Sequence, residues 1–167
     1  MYTKKDNRDA LDFCTMNVPR LMARPMRCFI NTSRTLQVLK QGDLDAFHEQ
    51  LTAFLSSIPY NMRRKDNERE KERYFHYTFY LLLRLLSTYV VYTEKVQSQG
   101  RVDCIIETPK FVYIFEFKLD GTADGALQQI MDKGYDREYA TDERKLYKIG
   151  CSFSSETGTV EDWKVME

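Results

Sequence analysis

The sequence has no long hydrophobic run and no leader-like start. Its apolar stretches fall short of the roughly 20 residues that a membrane-spanning helix needs. The first residues, MYTKKDNRDALDF, are too polar for a secretory signal peptide. We therefore expect a cytoplasmic protein without a membrane partner.

Cysteines are few, and they form no metal or redox motif. The four cysteines lie far apart and include no CxxC pair, which argues against zinc-ribbon and thioredoxin-like chemistry. Two of them, Cys104 and Cys151, fall inside apolar runs of strand-like composition. Because cysteine is often buried in protein cores, the sequence predicts that these thiols are reduced core residues.

The chain carries no excess of either charge. Its 25 basic and 25 acidic residues give a formal net charge of zero, which supplies no long-range attraction to a polyanion. Any binding to nucleic acid must therefore use a local basic patch. The motif GxxxxGK[ST] is also missing, so the chain contains no P-loop for nucleotide hydrolysis.

The composition is nevertheless sufficient for one folded core. Apolar residues make up 43% of the 167 residues and aromatic residues 13%, enough to offset the entropy that is lost on folding. A chain of this length predicts one compact domain with an extension. We place a helical extension at residues 1–62 and the domain at residues 63–167.

Three segments in the first half show helical spacing. One helix is predicted between Arg27 and Leu39. Asp43 is a suitable N-cap for a second helix that ends at Pro59, and the apolar face of that helix predicts a partner surface. The charged stretch RRKDNEREKER then leads into a helix from about Glu68 to Thr88, which we expect to pack on a sheet.

The second half alternates strands with one helix. Three runs rich in Val, Ile, Tyr and Phe are joined by short turns, which predicts an antiparallel meander. A helix from Ala123 to Tyr139 leads to a further strand. The strands are predicted at Tyr89–Val96, Arg101–Thr108, Phe111–Leu119 and Leu146–Phe153, with Thr159–Val165 as a candidate edge strand. This order predicts an α/β fold with a mixed central sheet flanked by helices.

The tripeptide EFK in the third strand places two ionisable side chains on one wall. Because strand side chains alternate, Glu116 and Lys118 are predicted to share a face. Taken alone, the pair also fits a solvent-facing ion pair on an edge strand. Asp103 lies in the preceding strand, and a hairpin between the two strands brings it opposite Glu116. The same alternation predicts that Val102 and Cys104 share the face opposite Asp103.

Two carboxylates that meet across neighbouring strands need a neutralising partner. Asp103 and Glu116 offer oxygen ligands. A Mg²⁺ site typically has only a few protein carboxylates and leaves other coordination positions open, and Mn²⁺ is the alternative ion. Lys118 beside the ion would orient the attacking water, help to deprotonate it, or stabilise charge on phosphate oxygens. The pattern predicts phosphate-ester hydrolysis without a covalent intermediate.

The segment GRVDCIIETPKFVYIFEFKLDG resembles the D…(E)xK core of the PD-(D/E)XK nuclease superfamily. The similarity continues through ERYFHYTFYLLLRLL, ALQQIMDKGY and IGCSFSSETGTVEDW, over about residues 68–165. Within the superfamily, the sequence is most similar to a bacterial branch in which this domain follows an AAA-type ATPase-like domain. Val102 stands where the superfamily's name calls for proline. The resemblance implies a restriction-endonuclease-like core with a four-stranded mixed sheet. It also places Asp103, Glu116 and Lys118 at the metal and catalytic positions.

The resemblance implies further site residues. Glu72, in the helix before the sheet, matches an acidic metal position, and it also fits a solvated carboxylate in a first helical turn. Gln129 matches a glutamine that contacts metal-bound water or the substrate backbone, and Tyr135 accompanies it. Alternatively, Gln129 is an ordinary residue on the surface of a helix, and Tyr135 is an ordinary core residue. Glu94 is a supporting acidic candidate.

Basic residues near the predicted acids are candidates for phosphate contacts. We assign Arg101 and Lys133 to substrate binding together with Tyr135, and Lys148 is a further candidate. The predicted function is Mg²⁺-dependent hydrolysis of DNA, with RNA as the other substrate that the same groups would serve. The alternative is a catalytically inactive remnant of the nuclease fold that binds nucleic acid or protein. Expected partners include a second copy, through the N-terminal helices, and a separate ATPase-like protein.

Overall fold

The computed structural model describes residues 32–59, 75, 77–81 and 90–167. Within them, one five-stranded sheet has the strand order β1-β2-β3-β4-β5. The strands are β1 (Val90–Gln97), β2 (Gly100–Glu107), β3 (Phe111–Leu119), β4 (Lys145–Phe153) and β5 (Val160–Met166). Neighbouring strands are antiparallel except β3 and β4, which are parallel. The predicted mixed sheet is therefore confirmed, and β5 adds the candidate edge strand.

Two helices upstream of the sheet pack on one of its faces. They are α1 (Thr32–Gln41) and α2 (Leu44–Ser56). Asp43 caps α2 as predicted, because its carboxylate accepts a hydrogen bond from a backbone N–H of the first turn at 3.0 Å. Phe47 of α2 lies in the same hydrophobic cluster as Phe115 of β3. The apolar face that predicted a partner surface is thus covered by the sheet of its own chain.

The other predictions for the first half are described in part. The helix predicted between Arg27 and Leu39 overlaps α1, and residues 27–31 lie outside the described residues. The helix predicted from Glu68 to Thr88 is described at residue 75 and residues 77–81, which are helical. No helix in these described ranges combines the length and apolarity that a membrane crossing requires. The division of the chain at residues 62 and 63 stays a prediction.

A crossover helix, α3 (Ala123–Lys133), joins the parallel strands β3 and β4. Thr122 caps its start by accepting a backbone hydrogen bond at 3.0 Å. Gly134 ends it in the left-handed conformation, with φ of 58°. The prediction of one helix as far as Tyr139 is wrong, because the chain turns at this glycine before a short 3₁₀ helix at Arg137–Tyr139.

Hydrophobic clusters cover both faces of the sheet, which we name the α3 face and the opposite face. On the α3 face, the packed residues include Leu127, Ile130, Val112 and Ile114. On the opposite face, α1, α2 and the helical residues near Phe79 bury β3 and β4, with the rings of Phe79 and Phe117 4.6 Å apart. Cys104 and Cys151 are free thiols buried in this second cluster, which confirms the prediction for these two residues.

A close contact sets the position of α3 over the sheet. Gly150 of β4 faces the start of α3, and a Cβ at this position would lie 2.1 Å from the backbone oxygen of Ala123. It would also lie 3.0 Å from Cγ of Leu127. A side chain at residue 150 would therefore push α3 away from the strand, and with it every residue that α3 presents to β3.

Candidate active site

Strands β2 and β3 pair along only part of their length. Their ladder joins Cys104–Glu107 to Val112–Phe115, whereas β3 continues beside β4 as far as Leu119. Where the β2–β3 ladder ends, the backbone N–H of Phe117 donates to Oδ2 of Asp103 at 2.9 Å. A side-chain carboxylate thus takes the place of a ladder carbonyl. We call this point, where the two strands part around Asp103, the fork.

The register of the hairpin is the one that the sequence predicted. Cys104 lies opposite Phe115, so Asp103 and Glu116 come next in the same register at the fork. The charge of Asp103 also contributes to the raised pKa of Glu116, as expected for two neighbouring carboxyl groups. The fold therefore brings the two predicted acids together.

Glu116 is buried, with 2% of its surface exposed. Its Oε1 accepts a hydrogen bond from the side-chain amide of Gln129 and lies 4.0 Å from Nζ of Lys118. Its Oε2 is also buried and has no hydrogen-bond partner among the described residues. Burial, followed by the charge of Asp103, raises the pKa of Glu116 to about 8. Lys118, Gln129 and the backbone of Asp103 favour the charged form of Glu116, but they offset the effect of burial only in part.

Gln129 of α3 links the two ionisable residues of the EFK motif. The ammonium of Lys118 donates to Oε1 of Gln129 at 2.5 Å, while the amide nitrogen of Gln129 donates to Glu116. This bridge confirms that Glu116 and Lys118 share a face, which is the α3 face. Lys118 keeps 34% of its side chain exposed, so its ammonium is accessible to a ligand at the fork.

The strand alternation predicted for β2 breaks at Asp103. Val102 packs on the α3 face and Cys104 on the opposite face, so the prediction that they share a face is wrong. Strand β1 is also irregular opposite Asp103. Its residue Glu94 has φ of 51° and is skipped by the β1–β2 ladder. Irregularities of this kind add local twist and redirect side chains. They lie next to the fork, where the backbone leaves the regular pleat.

The residues predicted to bind substrate have different surroundings. Arg101 is exposed, and its guanidinium lies 3.5 Å from the carboxylate of Glu94. Lys133 is exposed in the last turn of α3. Tyr135 is buried, and its hydroxyl donates to the carbonyl of Arg101 at 2.8 Å. Lys148 lies 3.3 Å from a neighbouring aspartate. Tyr135 therefore positions the backbone that carries Arg101, and its direct contact with substrate stays a prediction.

Comparison with known proteins decides the family. A family model described as the PD-(D/E)XK nuclease superfamily matches residues 70–163, which is more than half of the chain. The chain belongs to this superfamily. A relative named "Uncharacterized protein in vnfD 5'region", from Azotobacter chroococcum mcd 1, is 31% identical over 143 residues. These residues cover 84% of this chain and 28% of the relative, so the chain spans less than a third of that protein. No solved structure matches.

Nucleases of the PD-(D/E)XK superfamily act on nucleic acids and generally use Mg²⁺ or Mn²⁺. The side chains at the fork fit an ion of this kind, since Asp103 and Glu116 offer oxygen ligands and Oε2 of Glu116 lacks a described partner. The described ranges contain no cluster of three or more His, Cys, Asp or Glu side chains that could hold a metal. Glu72, the third acidic candidate, lies outside the described residues.

A cavity of about 180 Å³, which was not predicted from the sequence, borders Asp103. Its lining includes Tyr77 and Tyr80 from the helical residues 77–81. The run FHYTFY (residues 75–80) contained a signal for it, because only Phe75 and Phe79 of this run fit the stripe that packs on the sheet. Tyr77 and Tyr80 fall outside that stripe, so they were candidates to line a surface other than the one that packs on the sheet.

Proposed function

We propose that this nuclease-family protein hydrolyses phosphodiester bonds of DNA in a reaction that depends on Mg²⁺ or Mn²⁺. The observation that supports this most strongly is the buried Oε2 of Glu116, which has no hydrogen-bond partner among the described residues. An unpaired, ionised carboxylate costs several kcal/mol when it is removed from water. A divalent cation held by Asp103 and Glu116 would offset that cost.

Asp103 and Glu116 are the residues that would hold the ion. When bound, a divalent cation lowers the pKa of water and polarises a phosphate oxygen. The N–H of Phe117 holds the Asp103 carboxylate at the fork, at 2.9 Å. The amide of Gln129 holds the Glu116 carboxylate from the α3 side. Both acids are thus oriented by the fold before any ligand arrives, which reduces the cost of reorganisation.

Lys118 is the proposed catalytic cation. Its Nζ is held 2.5 Å from Oε1 of Gln129 and 4.0 Å from Oε1 of Glu116. This geometry keeps the ammonium next to the two acids, where it would orient the attacking water or stabilise negative charge on the phosphate. Gln129 is a positioning residue in this scheme, because it contacts both Lys118 and Glu116.

Arg101 and Lys133 are proposed to contact the substrate backbone. Both are exposed, and both lie near Gly100, the first residue of β2: a Cβ there would be 3.6 Å from Cδ of Lys133. Since the chain has no net charge, such local cations are needed for phosphate binding. Tyr135 is proposed to support this region through its hydrogen bond to Arg101.

A cleavage assay tests the proposal. The protein should cut plasmid or single-stranded DNA with Mg²⁺ or Mn²⁺, and excess EDTA should stop the reaction. Glu116→Gln should reduce cleavage to background, and Lys118→Ala should reduce it by about 10²-fold or more. Lys164→Ala is the matched control, because Lys164 lies on β5 and pairs with the exposed Asp124. Cleavage in Glu116→Gln at the wild-type rate, or no cleavage with either ion, contradicts the proposal.

The alternative of a non-catalytic binding domain makes a different prediction. The neutral net charge and an apolar helix in need of a partner favour this alternative, but α2 buries that apolar face against the sheet. Calorimetric titration with Mn²⁺ separates the two functions, since a non-catalytic remnant need not bind the ion. Binding that is lost in Glu116→Gln supports the hydrolase, whereas the absence of binding in the wild type supports the alternative.

A further inference from the structure

The cavity beside the fork has aromatic walls. Half of the residues that line it are aromatic, namely Tyr77, Phe79, Tyr80 and Phe117. Phe79 and Phe117 are buried, Tyr80 is half-buried, and Tyr77 is 66% exposed. The aromatic surface therefore extends from a buried floor to the solvent. A flat, largely apolar ligand would find stacking partners along this wall.

The other side of the cavity is polar and acidic. Thr93 and Glu94 of β1 line it together with Asp103 of β2. In the metal-free protein these carboxylates repel a phosphate group, although Arg101 lies 3.5 Å from Glu94, and they accept hydrogen bonds from amino groups. The lining therefore suits a neutral aromatic ring with amino or imino donors on its edge, which describes a nucleobase better than it describes a phosphate.

The cavity and the candidate active site share two residues. Asp103 and Phe117 line the cavity, and they are joined by the 2.9 Å hydrogen bond at the fork. The cavity lies on the opposite face, where Phe79 and Phe117 pack, and it reaches the proposed metal site through Asp103 at the fork. A group in the cavity would therefore be next to a phosphate that is bound at Asp103. In a nucleic acid, the group one sugar away from a phosphate is a base.

We propose that this cavity receives an unpaired nucleobase next to the scissile phosphate, so that the preferred substrate is single-stranded or locally unpaired. This inference rests on the proposed function, because it uses the active site to place the phosphate. A base within a duplex is stacked on both faces and paired along its edge, so it reaches such a cavity only after unpairing. The volume of about 180 Å³ is also below that of pockets for drug-sized ligands, roughly 300 Å³ and more, and suits a single ring system.

Binding measured without cleavage tests the cavity. Fluorescence anisotropy in EDTA would compare a labelled single-stranded DNA of about 12 nucleotides, the same strand with abasic sites, and its duplex, all at one salt concentration. The wild type should bind the intact strand about ten-fold more tightly than the abasic strand or the duplex. Equal affinities for intact and abasic strands overturn the proposal without the need for any variant.

Variants then locate the effect. Tyr80→Ala should weaken binding of the intact strand by about ten-fold and leave binding of the abasic strand unchanged, whereas Tyr80→Phe should retain tight binding because it keeps the ring. Tyr92→Ala is the control, since Tyr92 is an exposed tyrosine of β1 outside the cavity lining. A Tyr80→Ala protein that binds the intact strand as tightly as Tyr92→Ala does overturns the proposal.

The two proposals fail in different ways. If no ion supports cleavage but the intact strand still binds more tightly through Tyr80, the cavity assignment is supported and only the hydrolysis is contradicted. If metal-dependent cleavage occurs at the same rate for single strands and duplexes and is unchanged in Tyr80→Ala, hydrolysis stands and the cavity assignment is overturned.

Discussion

Replacing Glu116 by glutamine should stabilise the metal-free protein at alkaline pH while it removes activity. Burial and the neighbouring charge of Asp103 raise the pKa of Glu116 to about 8, against a usual value of 4.5. Between these two values the folded protein holds a proton that the unfolded chain has released. The contribution of Glu116 to the free energy of unfolding should therefore fall as the pH rises from 4.5 to about 8, and the difference between the wild type and Glu116→Gln isolates this contribution.

The size of this effect follows from the shift. One pKa unit corresponds to about 1.4 kcal/mol, so the full shift corresponds to at most about 5 kcal/mol of lost stability at pH values above 8. Glutamine has nearly the same shape as the protonated acid and can still accept the hydrogen bond from Gln129. Glu116→Gln should therefore lose this pH dependence and be more stable than the wild type by a few kcal/mol near pH 8.

Urea denaturation in EDTA at about pH 5 and about pH 8 measures the difference. Trp163 is the single tryptophan and stacks on His48 of α2 at 4.8 Å, so its fluorescence reports the packing of helix and sheet. Glu107→Gln is the matched control. Glu107 pairs with Arg144 at 3.1 Å, so its removal should destabilise the protein and leave the wild-type pH slope in place.

Two results would refute this reasoning. One is a wild type and a Glu116→Gln variant that have the same pH slope. The other is a variant that is less stable than the wild type near pH 8 in EDTA. Mn²⁺ adds an independent check, since an ion that binds only the folded state should raise the unfolding free energy of the wild type and not that of the variant.

Three further predictions follow from contacts at and near the fork. Gln129→Ala should lower kcat for cleavage by roughly ten-fold or more with little change in KM, because Lys118 loses its hydrogen-bond partner at 2.5 Å. Steady-state kinetics measure both constants, and an unchanged kcat would contradict this prediction. Asp103→Asn should keep the fold but weaken Mn²⁺ binding in calorimetry by roughly ten-fold or more, and wild-type affinity would remove Asp103 from the ligand set. Gly150→Ala should cost about 1–3 kcal/mol in urea denaturation, because its Cβ would meet the backbone oxygen of Ala123 at 2.1 Å; wild-type stability would contradict the close approach of α3.

The sequence predicted the parts of the fold that depend on simple periodicity. The strand Phe111–Leu119 was predicted with its observed bounds, because residues of high strand propensity, interrupted only by Glu116 and Lys118, run between two turn signals. The register that aligns Asp103 with Glu116 followed from the short turn between the strands. The shared face of Glu116 and Lys118 followed from the two-residue repeat of a regular strand.

What the sequence could not predict depends on departures from regularity. The opposite orientations of Val102 and Cys104, and the positive φ of Glu94, occur next to the fork, where the β1–β2 ladder skips Glu94 and Asp103 and the β2–β3 ladder ends at Cys104. No residue type in that region marks such an irregularity. Gly134 is a different case, since a glycine after a lysine-containing helical turn is a recognised stop signal that the predicted helix to Tyr139 overlooked.

The hydrogen bond from Phe117 to Asp103 has a consequence for how this domain can diverge. Asp103 satisfies a backbone donor in the sheet as well as serving the proposed chemistry, so hydrophobic replacements there would leave a buried N–H unpaired. A descendant that loses hydrolysis is expected to change first at Glu116 or Lys118, whereas position 103 should tolerate little besides asparagine. An inactivated copy of this domain should therefore still have Asp or Asn at position 103, because either side chain can accept the hydrogen bond from Phe117.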